Sequence, residues 1–217
     1  MHEPVSPEPA ITAHAKSGRG DEVREIIAVV LLSLTAILTA WCGFESSKWS
    51  GQMSIQFSEA SSARIRSIDF ASEARDARSV DLAIYTQWVD AKARQDEAFA
   101  TYVSNRFTPE FTTAFDDWVQ GGEQLKSPFA EPSYVPAGEV ESRKASKLAD
   151  AKFALALQSN QRGDNYSMLT VMFALVLFFA AIAERATSRW SSWFLICLAG
   201  LVSLGGVAVL ASFPVLF

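Results

Sequence analysis

Residues 26–44 read IIAVVLLSLTAILTAWCGF, nineteen positions without an Asp, Glu, Lys or Arg. Two further charge-free runs follow, over residues 165–183 and 190–217. A bilayer core is crossed by about 20 apolar residues rising ~1.5 Å each, and a soluble domain of 217 residues has no place for three such runs. The pattern predicts an all-α integral membrane protein with transmembrane helices over residues 22–44, 166–183 and 190–213. Trp41 and Trp49 bracket the far end of the first span, at the depth where amphipathic rings favour the headgroup layer. Residues 184–189 leave room for a tight turn alone, so spans two and three form a helical hairpin that Pro214 closes.

Residues 1–21 read as a disordered tail, polar and carrying Pro4, Pro7 and Pro9. The first apolar run begins too late for a cleaved signal peptide and suits an uncleaved anchor. Residues 45–165 form an extramembrane insert that is helical throughout. No proline occurs between Pro9 and Pro109 and no glycine between Gly51 and Gly121, and strict apolar/polar alternation is missing. A single helix over residues 52–107 would be ~84 Å long, whereas a returning helix over 139–163 covers ~38 Å of it. A change of partner is therefore expected near Ser79, whether or not the helix itself breaks there. Below that point the chain is rich in Ser and Ala, with Phe57, Ile65, Ile68 and Ala71 near one face, and suits a close-packed stalk. Residues 80–138 hold Tyr85, Trp88, Phe99, Tyr102, Phe107, Phe111, Phe115, Trp118, Phe129 and Tyr134, enough aromatic area for a packed head. Thr108-Pro109-Glu110 reads as an N-cap, a first-turn proline and an acid that complements the dipole of a short helix through Trp118.

Composition narrows the chemistry. The two cysteines, Cys42 and Cys197, sit inside apolar runs, and the two histidines, His2 and His14, sit in the tail. Neither a disulfide framework nor a thiol or imidazole metal site is expected, nor any other cofactor. From Glu45 to Asp164 fourteen bases oppose eighteen acids, and they alternate in sign as on a solvated helix face, so nucleic acid is not an expected partner. Asp116, Asp117 and Glu123 cluster without a calcium-loop motif, and no phosphate-loop, dinucleotide, zinc-protease or nucleophile-elbow signature occurs.

Orientation follows from the basic residues near the span ends. Lys16, Arg19 and Arg24 flank the N-terminal side, and Arg185 and Arg189 lie in the turn. Lys48, Lys152 and Arg162 lie on the other side. Five against three places the N-terminus and the turn in the cytoplasm and the stalk and head outside.

The spans carry no ionisable side chain, so their candidate positions are small and polar ones. Thr35, Thr39 and Gly43 recur at spacing four and share a face; Ala199 and Ser203 do the same in span three. Such faces bring helices close together. Packing against the protein's own spans is the plainest use, ahead of oligomer contacts and of a polar pore lining. Glu45 and Lys48, three apart at the outer mouth of span one, are placed to form an interfacial ion pair.

Three further segments carry a likeness. They are Ala40-Trp41-Cys42-Gly43-Phe44 running into Lys48-Trp49-Ser50-Gly51, Phe107-Thr108-Pro109-Glu110-Phe111, and Asn160-Gln161-Arg162-Gly163-Asp164-Asn165-Tyr166 at the start of span two. In these the chain resembles an uncharacterised family of small bacterial three-span membrane proteins with a long helical insert between spans one and two. The resemblance implies a bacterial inner membrane and carries no activity across. The expectation is a non-catalytic, oligomeric membrane protein, not an enzyme. Its partners would be the lipid bilayer and either further copies of itself or another envelope protein. A small homo-oligomeric channel or solute pore is the alternative.

Overall fold

Five helices account for most of the chain in the computed structural model, which describes residues 19–216. They are α1 (Arg19–Ala93), α2 (Glu97–Ser104), α3 (Pro109–Gln120), α4 (Glu139–Arg185) and α5 (Arg189–Leu210), with a 3-10 turn at Pro128–Ala130. No strand occurs among the described residues. Three of the helices, α1, α4 and α5, contain windows long and apolar enough to cross a membrane. The tail expected over residues 1–21 lies outside the described residues up to residue 18, and α1 begins at Arg19.

Helix α1 passes through Ser79 without interruption. The shift from small to aromatic residues there changes what the helix packs against and leaves its backbone hydrogen bonds intact. The break comes at residues 94–96. Gln95 takes φ 62°, the amide of Asp96 reaches the Ala91 carbonyl and that of Gln95 reaches Lys92. This is a Schellman ending built without glycine. Asp96 then caps α2 by accepting from the Phe99 amide at 2.9 Å. Helix α3 begins as the Thr-Pro-Glu triplet predicts, with the Thr108 hydroxyl accepting from the Phe111 amide.

The chain divides into two compact units. The first comprises Met1–Trp49 and Gln161–Phe217. Buried positions on α1 fall at Ala28, Thr35, Cys42 and Trp49, one every seven residues, with Glu45 between. On α5 they fall at Ser192, Ile196, Ala199, Ser203 and Gly206, in alternating steps of four and three. A 3.5-residue repeat is the signature of left-handed helix packing. The buried side chains along α5 are mostly small, whereas large apolar ones such as Ile26, Val30, Ile37, Met168, Phe178, Leu201 and Leu204 face outward. At Gly206 a Cβ would meet Met172 Cε at 2.7 Å and the Phe173 ring at 2.8 Å, so α5 lies directly on α4 there. The turn between these helices is held by the Ser192 hydroxyl, which donates to the Ala183 carbonyl at 2.5 Å.

The second unit is Ser50–Asn160. Here α1 and α4 pack through Ala60, Ala63 and Ser67 on one side and Ala149, Ala156 and Ser159 on the other. Ser67 and Ser142 exchange hydrogen bonds with each other's backbone carbonyls at 3.1 and 2.9 Å. Ser159 donates to Gln56 Oε1 at 2.8 Å. These hydroxyls satisfy themselves across a seam of small residues, which lets the helices approach closely. Gly138, at φ 85°, opens the return into α4; a Cβ there would lie 2.7 Å from the Phe70 carbonyl oxygen.

Candidate functional site

The second unit contains an aromatic cluster centred on Phe111, with Ala114 and Tyr134 buried beside it and Tyr85, Phe107, Phe115 and Phe129 around them. Phe111 meets Phe107 edge-on at 4.9 Å between ring centroids and Phe129 in a stack at 4.7 Å. Trp88 meets Phe115 edge-on at 5.0 Å. Such pairs add to the area they bury. Helices α1 and α3 and the loop after α3 each supply rings, so the cluster ties three segments together. The Trp118 indole donates to the Leu125 carbonyl at 2.8 Å, closing that loop onto α3.

Asp81 lies within the same region at 2% exposure. Its Oδ1 accepts from the Thr108 hydroxyl at 2.7 Å and its Oδ2 from the Tyr134 phenol at 2.8 Å. Arg78 stands over the Tyr134 ring, 5.4 Å from its centroid. Burial pushes the Tyr134 phenol well above its ordinary value; the hydrogen bond and charge of Asp81 push it further, and Arg78 opposes them. Burial also raises Tyr85, aided by Glu123. Both phenols therefore stay protonated through neutral pH, and Tyr134 remains a donor to Asp81. With both carboxylate oxygens engaged, Asp81 acts as a fastener between α1, α3 and the loop preceding α4. Asp81 is not among the candidates drawn from sequence, although an acid inside the otherwise apolar Val80-Asp81-Leu82-Ala83-Ile84-Tyr85 is a local signal of burial.

A second polar cluster lies at one end of the first unit. Glu45 is 1% exposed, and its Oε2 accepts from the Leu216 amide at 3.1 Å. Lys48 donates to the Leu216 carbonyl, and the Tyr166 phenol donates to the Pro214 carbonyl at 3.1 Å. Three side chains thus hold the backbone of residues 214–216. Arg162 covers the Trp49 ring at 4.6 Å, and Ser46 donates to the Gly163 carbonyl at 3.0 Å. Among the described residues Glu45 Oε1 and Trp49 Nε1 are buried without a partner.

Glu45 and Lys48 do not form an ion pair with each other within 4 Å; both turn to Leu216, whose amide and carbonyl match an acceptor and a donor together. Thr35 is buried, Thr39 is half-buried with its hydroxyl donating to the Thr35 carbonyl at 2.8 Å, and Gly43 is exposed with open space where a Cβ would be. Spacing four advances 400° along a helix, so the three drift off a seam that repeats every 3.5 residues. Ala199 and Ser203 both lie on the buried seam of α5. Arg185 ends α4 and Arg189 begins α5. Cys42 is buried and Cys197 exposed. Among the described residues no group of three His, Cys, Asp or Glu side chains is placed to hold a metal ion.

Comparison of the chain with protein-family models, with curated proteins and with solved structures found no match. The likeness to small three-span membrane proteins therefore stands on the residues quoted above and on nothing else.

Proposed function

We propose that this chain is a multi-pass protein of a bacterial inner membrane, non-catalytic and oligomeric, whose extramembrane helices bind a partner or organise an assembly. One observation carries the reading: the outward faces of three membrane-length helices are large and apolar while α5 turns small and polar residues such as Ser192 and Ser203 inward. A surface of that kind is complementary to lipid, since in a bilayer helix association rests on close packing and not on apolar burial. The aromatic cluster around Phe111 supports the second half of the reading. It gives the extramembrane part a packed core that holds its outer surface in place, with Asp81, its buried carboxylate, as a fastener.

Affinity capture of the tagged full chain from native membranes tests the proposal. Recovery from the membrane fraction with a stoichiometric partner, either another envelope protein or a further copy of the chain, is the expected result. Recovery from the soluble fraction overturns it. Reproducible unitary conductance of the purified protein in a planar bilayer, abolished by Thr39→Leu, would instead establish the channel alternative.

A further inference from the structure

We infer that one face of the α1–α4 hairpin in the second unit is a docking surface for a second copy of this chain. Phe57, Ser61, Arg64 and Ile65 of α1, with Ala149 and Phe153 of α4, line a groove of about 350 Å³ on that face. The rings of Phe57 and Phe153 meet edge-on across it at 5.4 Å. Ile65 and Ile68 are each 58% exposed, and Phe153 and Leu157 are about half exposed. Helical spacing places Ile65 and Ile68 on the α1 side of the groove, and Phe153 and Leu157 on its α4 side.

Area and charge identify the occupant. Phe153 belongs to the class that buries ~150–250 Å² when enclosed; the three aliphatic residues carry less each, so these four roughly half-exposed side chains present about 300 Å² of apolar surface per copy. A face that meets its own copy covers twice that. With apolar atoms making up about 60% of an interface, the total is about 1,000 Å², the lower bound for a specific contact between copies. The charge on this face is already satisfied within the chain: Arg64 donates to Asp150 at 2.5 Å and to Ser146 at 3.1 Å. A strongly acidic or basic partner finds no complement there, whereas an identical neutral face does. The groove between Ala149 and Ser61 is a hole of the kind that a large side chain of a facing helix fills. This step rests on the membrane reading above, because anchoring in one bilayer holds two copies parallel and brings the same level of each hairpin together, as a two-fold contact requires.

The test uses the full chain with Cys42→Ser and Cys197→Ser, in native membranes. Single cysteines at Ser61 and Ile65, on the groove, are expected to form disulfide-linked dimers on copper-phenanthroline oxidation. A cysteine at Ser62, on the opposite groove with Glu59 and Lys152, is expected to do so at least fivefold less. Ile65→Asp with Ile68→Asp should lower the Ser61 crosslink at least tenfold while helix content and melting stay unchanged. Light scattering in detergent should report a dimer for the parent and a monomer for the double variant. Absence of both groove crosslinks together with a monomeric mass overturns the inference, as does crosslinking of Ser61 to a different protein. If partner capture persists in that event, the membrane scaffold reading survives and only the self-docking face is lost.

Discussion

Tyr134 and Asp81, fifty-three residues apart, are joined by a hydrogen bond of 2.8 Å from the phenol to a carboxylate that is itself almost wholly buried. The bond fastens the loop before α4 to the C-terminal part of α1. Removing the donor leaves a buried charged acceptor short of one partner, which costs about 1–3 kcal/mol. Tyr134→Phe is therefore expected to lower stability by that amount with the ring packing kept. Thermal melts of the detergent-solubilised protein, followed by tryptophan fluorescence, provide the measurement; an unchanged midpoint would show that Asp81 finds another donor.

The same bond has a pH signature. Tyr134 has a folded-state pKa raised above the ordinary phenol value, first by burial and then by Asp81. A raised pKa means that the protonated form is favoured by folding. The stability it contributes is complete below about pH 10, the ordinary value for the unfolded chain, and is lost as pH rises through the folded value. Tyr85 is shifted in the same direction. Unfolding midpoints should therefore change little with these phenols up to pH 9 and decline above pH 10. Tyr134→Phe should flatten part of that alkaline decline; an identical slope in the variant would remove Tyr134 as its source.

Within the aromatic cluster the rings differ in burial. Phe111 is fully enclosed and contacts five other rings, so Phe111→Ala should cost about 3–5 kcal/mol. Trp88 is half-exposed, and its truncation should cost distinctly less. Arg78 stacks on Tyr134, and Arg78→Ala should cost about 0.5–1 kcal/mol, more than an ordinary surface change. Urea titration of the three variants ranks them; a Trp88 effect larger than that of Phe111 would contradict the packing.

What could be read from sequence was what is written locally. Charge-free runs mark three helices of membrane length, and Thr108-Pro109-Glu110 marks the start of α3 because a cap, a fixed φ and an acid act within one turn. What could not be read depends on distant backbone. Gln95 enters the left-handed region with no glycine or proline to announce it. Glu45 and Lys48 suit each other at spacing three, yet the amide and carbonyl of Leu216 serve both better, and nothing near residue 45 points to residue 216. Thr35, Thr39 and Gly43 form a tidy row on a straight helix, but a 3.5-residue seam carries Gly43 away from it. The role of Asp81 is set by Thr108 and Tyr134, 27 and 53 residues further along the chain, which converge on it.

Glycines 205 and 206 provide a paired test of the seam between α4 and α5. At Gly206 a new Cβ would fall within 3 Å of Met172 and Phe173, whereas at Gly205 nothing lies within 4 Å. Gly206→Ala is expected to destabilise by about 1–3 kcal/mol through overpacking against the buried Phe173 ring. Gly205→Ala should be neutral or slightly stabilising, since alanine favours helix. Melting of both variants in the same detergent checks this, and equal effects would mean that α5 does not face α4 through residue 206.

Sidedness is the last expectation, and it follows from the arginines at the α4–α5 turn. Arg185 and Arg189 resist translocation, whereas a helical segment of about 120 residues is exported largely regardless of its charge. In a Cys42→Ser, Cys197→Ser background, a single cysteine replacing Ser188, exposed in that turn, should react with an impermeant maleimide only after lysis. A cysteine replacing Gln124, exposed after α3, should react on intact spheroplasts. Gln124 is the better probe than Ser133 of the proline-rich loop, because the Ser133 hydroxyl is buried and a thiol there would be shielded on either side of the membrane. Labelling of the Ser188 position in intact cells, with the Gln124 position silent until lysis, would reverse the topology and put the Phe111 cluster among cytosolic partners.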